Sequence, residues 1–339
     1  MNKGILSTIG HTPLVKLERV FEGAEFNLYA KLEAFNPGGS IKDRTAFSII
    51  QRAMDQGQIG PRTTVIESSS GNMGIGLAQA CAYYGIPFIC VVDPKTTKLN
   101  IEILKAFGAE VDIVTVPDKA TGEYLPARIA RVEELLLTIE NSYWPDQYSN
   151  LYNARAHYQT MREIVEELDG KVDYLFCATS TCGTMRGCAE YVQDHKLPTR
   201  IFAVDALGSA IFGNKGCKRL IPGHGAAVRP QLFLPWLADE CIHVSDSQCV
   251  IGCRRLAKKE ALLCGGSSGA VLSAIGMVRH RFPRNSNCVA IFPDRGERYL
   301  DTIYSTSWVQ DNLGDLGEWE DEEELVAAGS AEVRAGAQS

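Results

Sequence analysis

Residues 64–116 read TVIESSSGNMGIGLAQACAYYGIPFICVVDPKTTKLNIEILKAFGAEVDIVTV. Thr64-Val-Ile-Glu67 is a short strand candidate, and Gly74 to Tyr84 reads as an Ala-rich helix. Pro87 to Val92 is a second strand, Asn100 to Phe107 a second helix closed by Gly108, and Glu110 to Val116 a third strand. Strand, helix, strand, helix, strand at this pitch means right-handed crossovers and a parallel sheet. From Ser68 to Val92 there is no charged residue, a length that could span a bilayer. Asn72, Gln79, three Ser, four Gly and Pro87 divide it instead into loop, buried helix and buried strand.

The rhythm restarts downstream. Tyr174 to Ala178 is a strand, Gly183 to Asp194 a helix and Arg200 to Asp205 a strand; Ser245 to Glu260 and Ser268 to Arg281 look helical, and Asn287 to Phe292 is a last buried strand. With a break near Tyr143–Asn153, the pattern predicts two α/β lobes with a cleft between them. Ligands of open parallel sheets sit outside the carboxyl ends of the strands, so the loops leaving strands are where chemistry belongs.

Composition agrees. The chain has 339 residues, and at about 100–200 residues per domain that fits two domains. It is 45% hydrophobic and 22% charged, enough apolar content for a full core. Lys and Arg number 34 against 41 Asp and Glu, a net −7, which argues against a general nucleic-acid binder. Residues 318–325 alone hold six acids and no base, so the rest of the chain is near −1. The stretch 316–339, acidic and then rich in small residues, is expected to be a solvated, disordered tail. Eleven cysteines contain no C-x-x-C pair, which disfavours a structural metal site, and the N-terminus lacks a long apolar stretch. A cytoplasmic protein with reduced thiols and no membrane span is the expectation.

Five segments carry chemistry. Asn36-Pro-Gly-Gly-Ser-Ile-Lys-Asp-Arg44 is a stiff-then-flexible turn in which Ser40 can cap a following helix, with Lys42 in its first turn. A lysine charge is misplaced at the positive end of a helix, unless it is reduced or used, as a Schiff base would do. Glu67-Ser-Ser-Ser-Gly-Asn-Met-Gly74 leaves a strand and opens a helix, an anion cradle beside the amide of Asn72. Thr179-Ser-Thr-Cys-Gly-Thr184 does the same and suits a phosphate, without the Gly-Lys-Ser/Thr ending of a Walker loop. Cys264-Gly-Gly-Ser-Ser-Gly269 is a small-residue turn, and Pro293-Asp-Arg-Gly-Glu-Arg-Tyr299 follows the last strand.

In this order and spacing the segments resemble the cysteine synthase/cystathionine β-synthase family of fold type II pyridoxal-phosphate enzymes, from about His11 to about Tyr304. The resemblance implies a two-lobed, three-layer αβα fold of the tryptophan synthase β type. The larger cofactor-binding lobe would be 1–37 plus 147–315, and the smaller mobile lobe 38–146. It also implies pyridoxal 5'-phosphate as cofactor, small-molecule amino-acid substrates, and a homodimer, with neither nucleic acid nor membrane as partner. Lys42 would hold the cofactor as a Schiff base and move the α-proton. Asn72 would bond the cofactor's phenolic oxygen, Ser180, Thr181, Cys182, Gly183 and Thr184 would cup its phosphate, and Ser267 would face the pyridine nitrogen. Ser68, Ser69, Ser70 and Gly71 would grip the substrate carboxylate. A β-substituted alanine would lose its leaving group to give an aminoacrylate, to which a nucleophile adds.

Departures from the plain cysteine synthases narrow the resemblance. A hydroxyl and a thiol (Ser180, Cys182) stand at glycine positions of the phosphate cup, Val92 to Asn100 lacks the usual Met-Ser-x-Glu-Arg, and Tyr124-Leu-Pro-Ala-Arg-Ile-Ala-Arg131 is added. These resemble the N-(2-amino-2-carboxyethyl)-L-glutamate synthase branch, which joins O-phospho-L-serine and L-glutamate on the way to 2,3-diaminopropionate in siderophore biosynthesis. Arg128 would anchor the second substrate, and Tyr148 and Ser180 would be polar contacts to the intermediate or the second substrate. Arg131 reads as a solvated helix-face residue, His224 as loop packing, and Arg219, Arg229 and Arg295 remain unranked. An O-acetylserine or O-phosphoserine sulfhydrylase is the alternative enzyme, and a catalytically weak scaffold the alternative from another class.

Overall fold

The computed structural model describes residues 4–213 and 219–316. The tail expected to be disordered therefore lies, from residue 317 on, outside the described residues. In chain order the regular elements are β1 (Leu14–Leu17), β2 (Asn27–Leu32), α1 (Lys42–Asp55), β3 (Thr64–Ser68), α2 (Asn72–Tyr84), β4 (Phe88–Val92), α3 (Lys98–Ala106) and β5 (Glu110–Ile113). There follow α4 (Tyr124–Thr138), β6 (Ser142–Tyr143), α5 (Leu151–Glu167), β7 (Tyr174–Ala178), α6 (Gly183–Asp194), β8 (Arg200–Ala206) and β9 (Glu240–Val244). The chain then forms α7 (Asp246–Glu260), α8 (Gly266–Val278), β10 (Asn287–Phe292) and α9 (Thr306–Leu313).

The strands form two sheets, β1-β2-β10-β7-β8-β9 and β5-β4-β3-β6. Every pairing is parallel except β1 with β2, which is antiparallel. That edge pair departs from the all-parallel expectation; β1 and β2 are consecutive strands without a crossover helix, so they can return antiparallel.

Strand alternation splits each sheet into two apolar faces. In the large sheet Phe176, Phe202, Ala290 and Phe292 face one cluster with α7 and α8, while Leu175, Ile201, Ala203 and Ile291 face another with α5 and α6. In the small sheet Val65, Phe88 and Cys90 pack on α1 and α2, and Ile66, Ile89 and Val91 on α4. Each sheet is thus the middle of a three-layer αβα sandwich, which explains why β4, buried at all five positions, has no polar alternation. α8 is buried at twelve of its thirteen residues, so its Gly/Ser/Ala/Val sequence is apolar all round. Gly252 of α7 and Gly269 of α8 touch backbone to backbone, and a Cβ at either would overlap the facing chain.

A buried ion network fastens the start of α1. Arg44 bonds Glu33 and Glu163, both at 2.7 Å, and Lys31 reaches Glu163 at 3.1 Å. Thr12 Oγ1 donates to Glu33 at 2.7 Å and Asn36 Nδ2 at 2.8 Å. The N-terminal segment, β2, α1 and α5 therefore meet two residues from Lys42. Burial works against the Glu163 carboxylate, but hydrogen bonds and charge from Arg44, with help from Lys31, hold it down at about 2. Its contribution to stability is complete above the ordinary Glu value of about 4.3 and is lost as pH falls through about 2. Glu163→Gln leaves Lys31 and Arg44 without their shared carboxylate and is expected to cost about 3–5 kcal/mol. Urea melts at pH 7 check this, and the wild-type advantage should shrink between about pH 4 and pH 2.

Candidate active site

Strand order marks two crevices. In the small sheet the chain runs outward from β3 to β4 and β5, then returns to β3's other side as β6. In the large sheet it runs from β7 to β8 and β9, then returns to β7's other side as β10. Topological switch points therefore fall at the carboxyl ends of β3 and β7, where open parallel sheets bind ligands. The loops leaving those ends are Ser69–Gly71 and Thr179–Cys182.

Lys42 opens α1 between them. Ser40 does not occupy the capping position, which is Ile41, but its Oγ accepts the Lys42 N–H at 3.2 Å. Burial pushes the Lys42 ammonium below the ordinary lysine value, with Asp294 and Cys182 pulling the other way. Among the described residues its Nζ makes no hydrogen bond or ion pair. An uncommitted amine with a lowered pKa at a ligand crevice is a nucleophile and a base.

Asn72, the first residue of α2, is clamped. Its Nδ2 donates to Asp294 Oδ2 at 2.7 Å, and Arg298 Nη1 donates to its Oδ1. The donor and acceptor fix which way the amide points. Tyr299 donates to Asp294 at 2.5 Å, while Asp294 Oδ1 is buried without a partner among the described residues. Burial raises the Asp294 carboxyl above its ordinary value. Residue type alone assigns Asp294, Arg298 and Tyr299 no task; the signal in the sequence is the density of charge in Asp294-Arg-Gly-Glu-Arg298 directly after a strand.

The second loop is built for an anion. Cys182 is the N-cap of α6 with φ 64°, a left-handed conformation uncommon outside glycine, and offers no side-chain cap, so the first-turn N–H groups of α6 keep the anion affinity of a helix N-terminus. Thr181 Oγ1 accepts from Asn153 Nδ2 at 3.0 Å and from Gly183 N–H at 3.4 Å. Asn153 is fully buried and also donates to the Gln147 carbonyl at 2.8 Å. A Cβ on Gly183 would overlap Asn153, so Gly183→Ala is expected to cost about 1–3 kcal/mol by overpacking, read as a lower thermal midpoint. Ser180 and Thr184 are partly buried on either side. Ser267, 7% exposed, stands in the first turn of α8 close after Gly265, whose N–H bonds the Asp294 carbonyl at 3.2 Å.

In the first loop, Ser69 is partly committed: its Oγ accepts from Gly74 N–H, in the first turn of α2, at 2.9 Å. Ser68 Oγ is buried and unpartnered among the described residues. Glu67, just before it, is buried and pushed up to about 7 by that burial. It accepts from Trp144 Nε1 at 3.2 Å and from Gln147 N–H at 3.3 Å, tying the loop to the segment that carries Tyr148. Residue type and position alone do not single out Glu67, the last acidic residue before the loop.

Arg128 and Arg131 part company. Arg128 is 8% exposed, pairs with Asp93 at 3.3 Å and leaves Nη1 without a partner among the described residues. Arg131 is outward, bridging Asp112 at 2.9 Å and Glu134 at 2.8 Å, as its helix position suggested. Burial raises the Tyr148 phenol, opposed by the charge of Arg128 and, further down, Arg219, so Tyr148 lies within reach of both fields. The remaining arginines now differ. Arg219 Nη1 donates to the His224 carbonyl at 3.2 Å, Arg229 stacks over Phe233 at 4.9 Å, and Arg295 donates to the Ala34 carbonyl at 3.0 Å. His224 is buried, its two ring nitrogens unpartnered among the described residues, and burial lowers it to about 4. The ten described cysteines are free thiols, and burial raises Cys81, Cys90, Cys182 and Cys253 to about 12, which leaves them unreactive. Among the described residues no helix is long and apolar enough to cross a membrane.

Comparison with known proteins agrees with this geometry. The family described as "Pyridoxal-phosphate dependent enzyme" matches residues 5–294. An O-acetylserine-dependent cystathionine β-synthase from Helicobacter pylori superimposes with a TM-score of 0.82 at 33% identity, covering 89% of this chain and 98% of that one. The O-acetylserine sulfhydrylase isoform 3 of Entamoeba histolytica gives 0.85 at 32% identity, covering 97% of this chain and 96% of its own. An O-ureido-L-serine synthase gives 0.82 at 27% identity, covering 95% and 98%.

Proposed function

The chain belongs to the pyridoxal-phosphate-dependent enzyme family, and from that premise we propose that it is a transferase joining O-phospho-L-serine to L-glutamate, with release of phosphate. The product is N-(2-amino-2-carboxyethyl)-L-glutamate, a precursor of L-2,3-diaminopropionate. The cofactor is pyridoxal 5'-phosphate, and the residues present fit it. An amine of lowered pKa stands in the field of Asp294 and Cys182, the one clamping the Asn72 amide and the other opening the α6 N-terminus in a left-handed conformation.

Bound pyridoxal phosphate supplies an electron sink at the donor's α-carbon. Lys42 would hold the cofactor through Nζ and is the base for the donor's α-proton. Arg298 and Asp294 orient Asn72, whose second Nδ2 proton would bond the cofactor's phenolic oxygen. Thr181 to Thr184 and Ser180 would hold its phosphate, and Ser267 would offer a neutral hydroxyl to its ring nitrogen. Ser68 to Gly71 hold the donor carboxylate on the α2 N-terminus. The donor's C3–oxygen bond breaks and its electron pair leaves with phosphate. The glutamate nitrogen then bonds C3, sheds a proton, and Lys42 returns one to the α-carbon. The lobe 38–146, moving against 1–37 and 147–315, excludes water during these steps.

The observation that carries the choice of glutamate is Arg128, a buried cation with a free Nη1 beside Tyr148. A dicarboxylate acceptor needs such an anchor; sulfide does not. The test is a single turnover: enzyme and phosphoserine should release about one phosphate per site, and glutamate should restart turnover. Restart by sulfide alone rejects the assignment.

A further inference from the structure

We propose that Asn100 recognises the amine of the second substrate, an inference that rests on the amino-acid acceptor proposed above. Four buried polar atoms near the carboxyl ends of β3 and β4 have no hydrogen-bond partner among the described residues: Ser68 Oγ, Asn100 Oδ1, and Arg128 Nε and Nη1, of which Nε is still ion-paired with Asp93. They share one neighbourhood. Ser68 pairs in register with Val91, and two residues further along β4's exit stands Asp93, the ion-pair partner of Arg128. Asn100, in the first turn of α3, reaches back across 30 residues to donate from Nδ2 to the Ser70 carbonyl at 3.0 Å.

That bond settles the amide's orientation, because only the nitrogen can donate to a carbonyl. With the nitrogen committed to Ser70, the oxygen is the free end. Asn100 Oδ1 accepts and cannot donate, whereas Arg128 donates and cannot accept. One acceptor and one cationic donor are the complement of an ammonium and a carboxylate carried by the same molecule. Hydrosulfide, an anion with a weak donor, makes no use of the acceptor. An N–H held on Oδ1 also sets the direction of the nitrogen's remaining bonds, which is what an attack on a fixed carbon requires. Because Asn100 grips the loop that holds the donor, the acceptor amine is registered directly against the donor's position.

The test uses the full-length holoenzyme, wild type and Asn100→Ala, with O-phospho-L-serine as donor. Glutamate is the acceptor, and glutarate, which is glutamate without its amine, is the competitive inhibitor. Loss of a hydrogen bond to a charged group should lower kcat/KM for glutamate about tenfold to hundredfold. The glutarate inhibition constant should stay within about twofold, and the acceptor-free burst should keep its amplitude of about one phosphate per site, its rate absorbing any slackening of the loop through the lost Ser70 bond. The intact burst also shows that the variant is folded and loaded. Equal weakening of glutarate, a lost burst, or an unchanged kcat/KM each overturns the inference while leaving the proposed reaction standing. Failure of glutarate to inhibit wild type means that carboxylates do not anchor the acceptor, and overturns it as well. Failure of wild type to use glutamate removes the proposed reaction itself, and this inference with it.

Discussion

Lys42→Ala is expected to lower turnover by about 1,000-fold or more and to remove the visible absorption band of lysine-bound pyridoxal phosphate. Two independent effects favour a neutral amine at this position. Lys42 starts α1, where the helix dipole disfavours a cation, and burial lowers its pKa further. The variant should fold, since Lys42 Nζ makes no hydrogen bond or ion pair among the described residues and the anchoring of α1 falls to Arg44. Unchanged melting with a lost band is therefore the expected pair of results. A band that survives in Lys42→Ala would place the covalent attachment on another lysine.

Arg128→Leu is expected to separate the two half-reactions. The acceptor-free phosphate burst should persist, while kcat/KM for glutamate falls about 30-fold to several thousandfold, the range for removing one partner of a buried charge pair. Asp93 would be left buried and unpaired in this variant, so stability must be followed beside activity. Arg128→Lys keeps the charge but not the guanidinium fork, and should fall between wild type and leucine. Loss of the burst itself would move Arg128 to the donor phosphate.

The elements and motifs were legible to different depths. The βαβ rhythm of 64–116 gave β3, α2, β4 and α3 to within two residues at most ends, because buried parallel strands are short apolar runs between helices. The strand expected over Glu110–Val116 stops at Ile113, and α8 starts at Gly266, two residues early. The antiparallel β1–β2 edge is not legible in the sequence, since β1 is four residues long, two partly buried, one exposed and one buried, and carries no clear period. Loop chemistry was legible because residue type alone limits what Lys42, Asn72 and the Thr181–Thr184 segment can do. Which atoms are left unmatched was not. Arg44 meets Glu163 across 119 residues and Asn72 meets Asp294 across 222, and such closures depend on the whole fold. Asn100 passed as an ordinary helix residue because its significance lies in one free oxygen.

The central claim is the identity of acceptor and donor. The most direct measurement is mass spectrometry of the product formed when purified holoenzyme is given O-phospho-L-serine, L-glutamate and sulfide together. The account predicts N-(2-amino-2-carboxyethyl)-L-glutamate, with release of one phosphate per product. Cysteine as the sole product, with glutamate unconsumed, would contradict it.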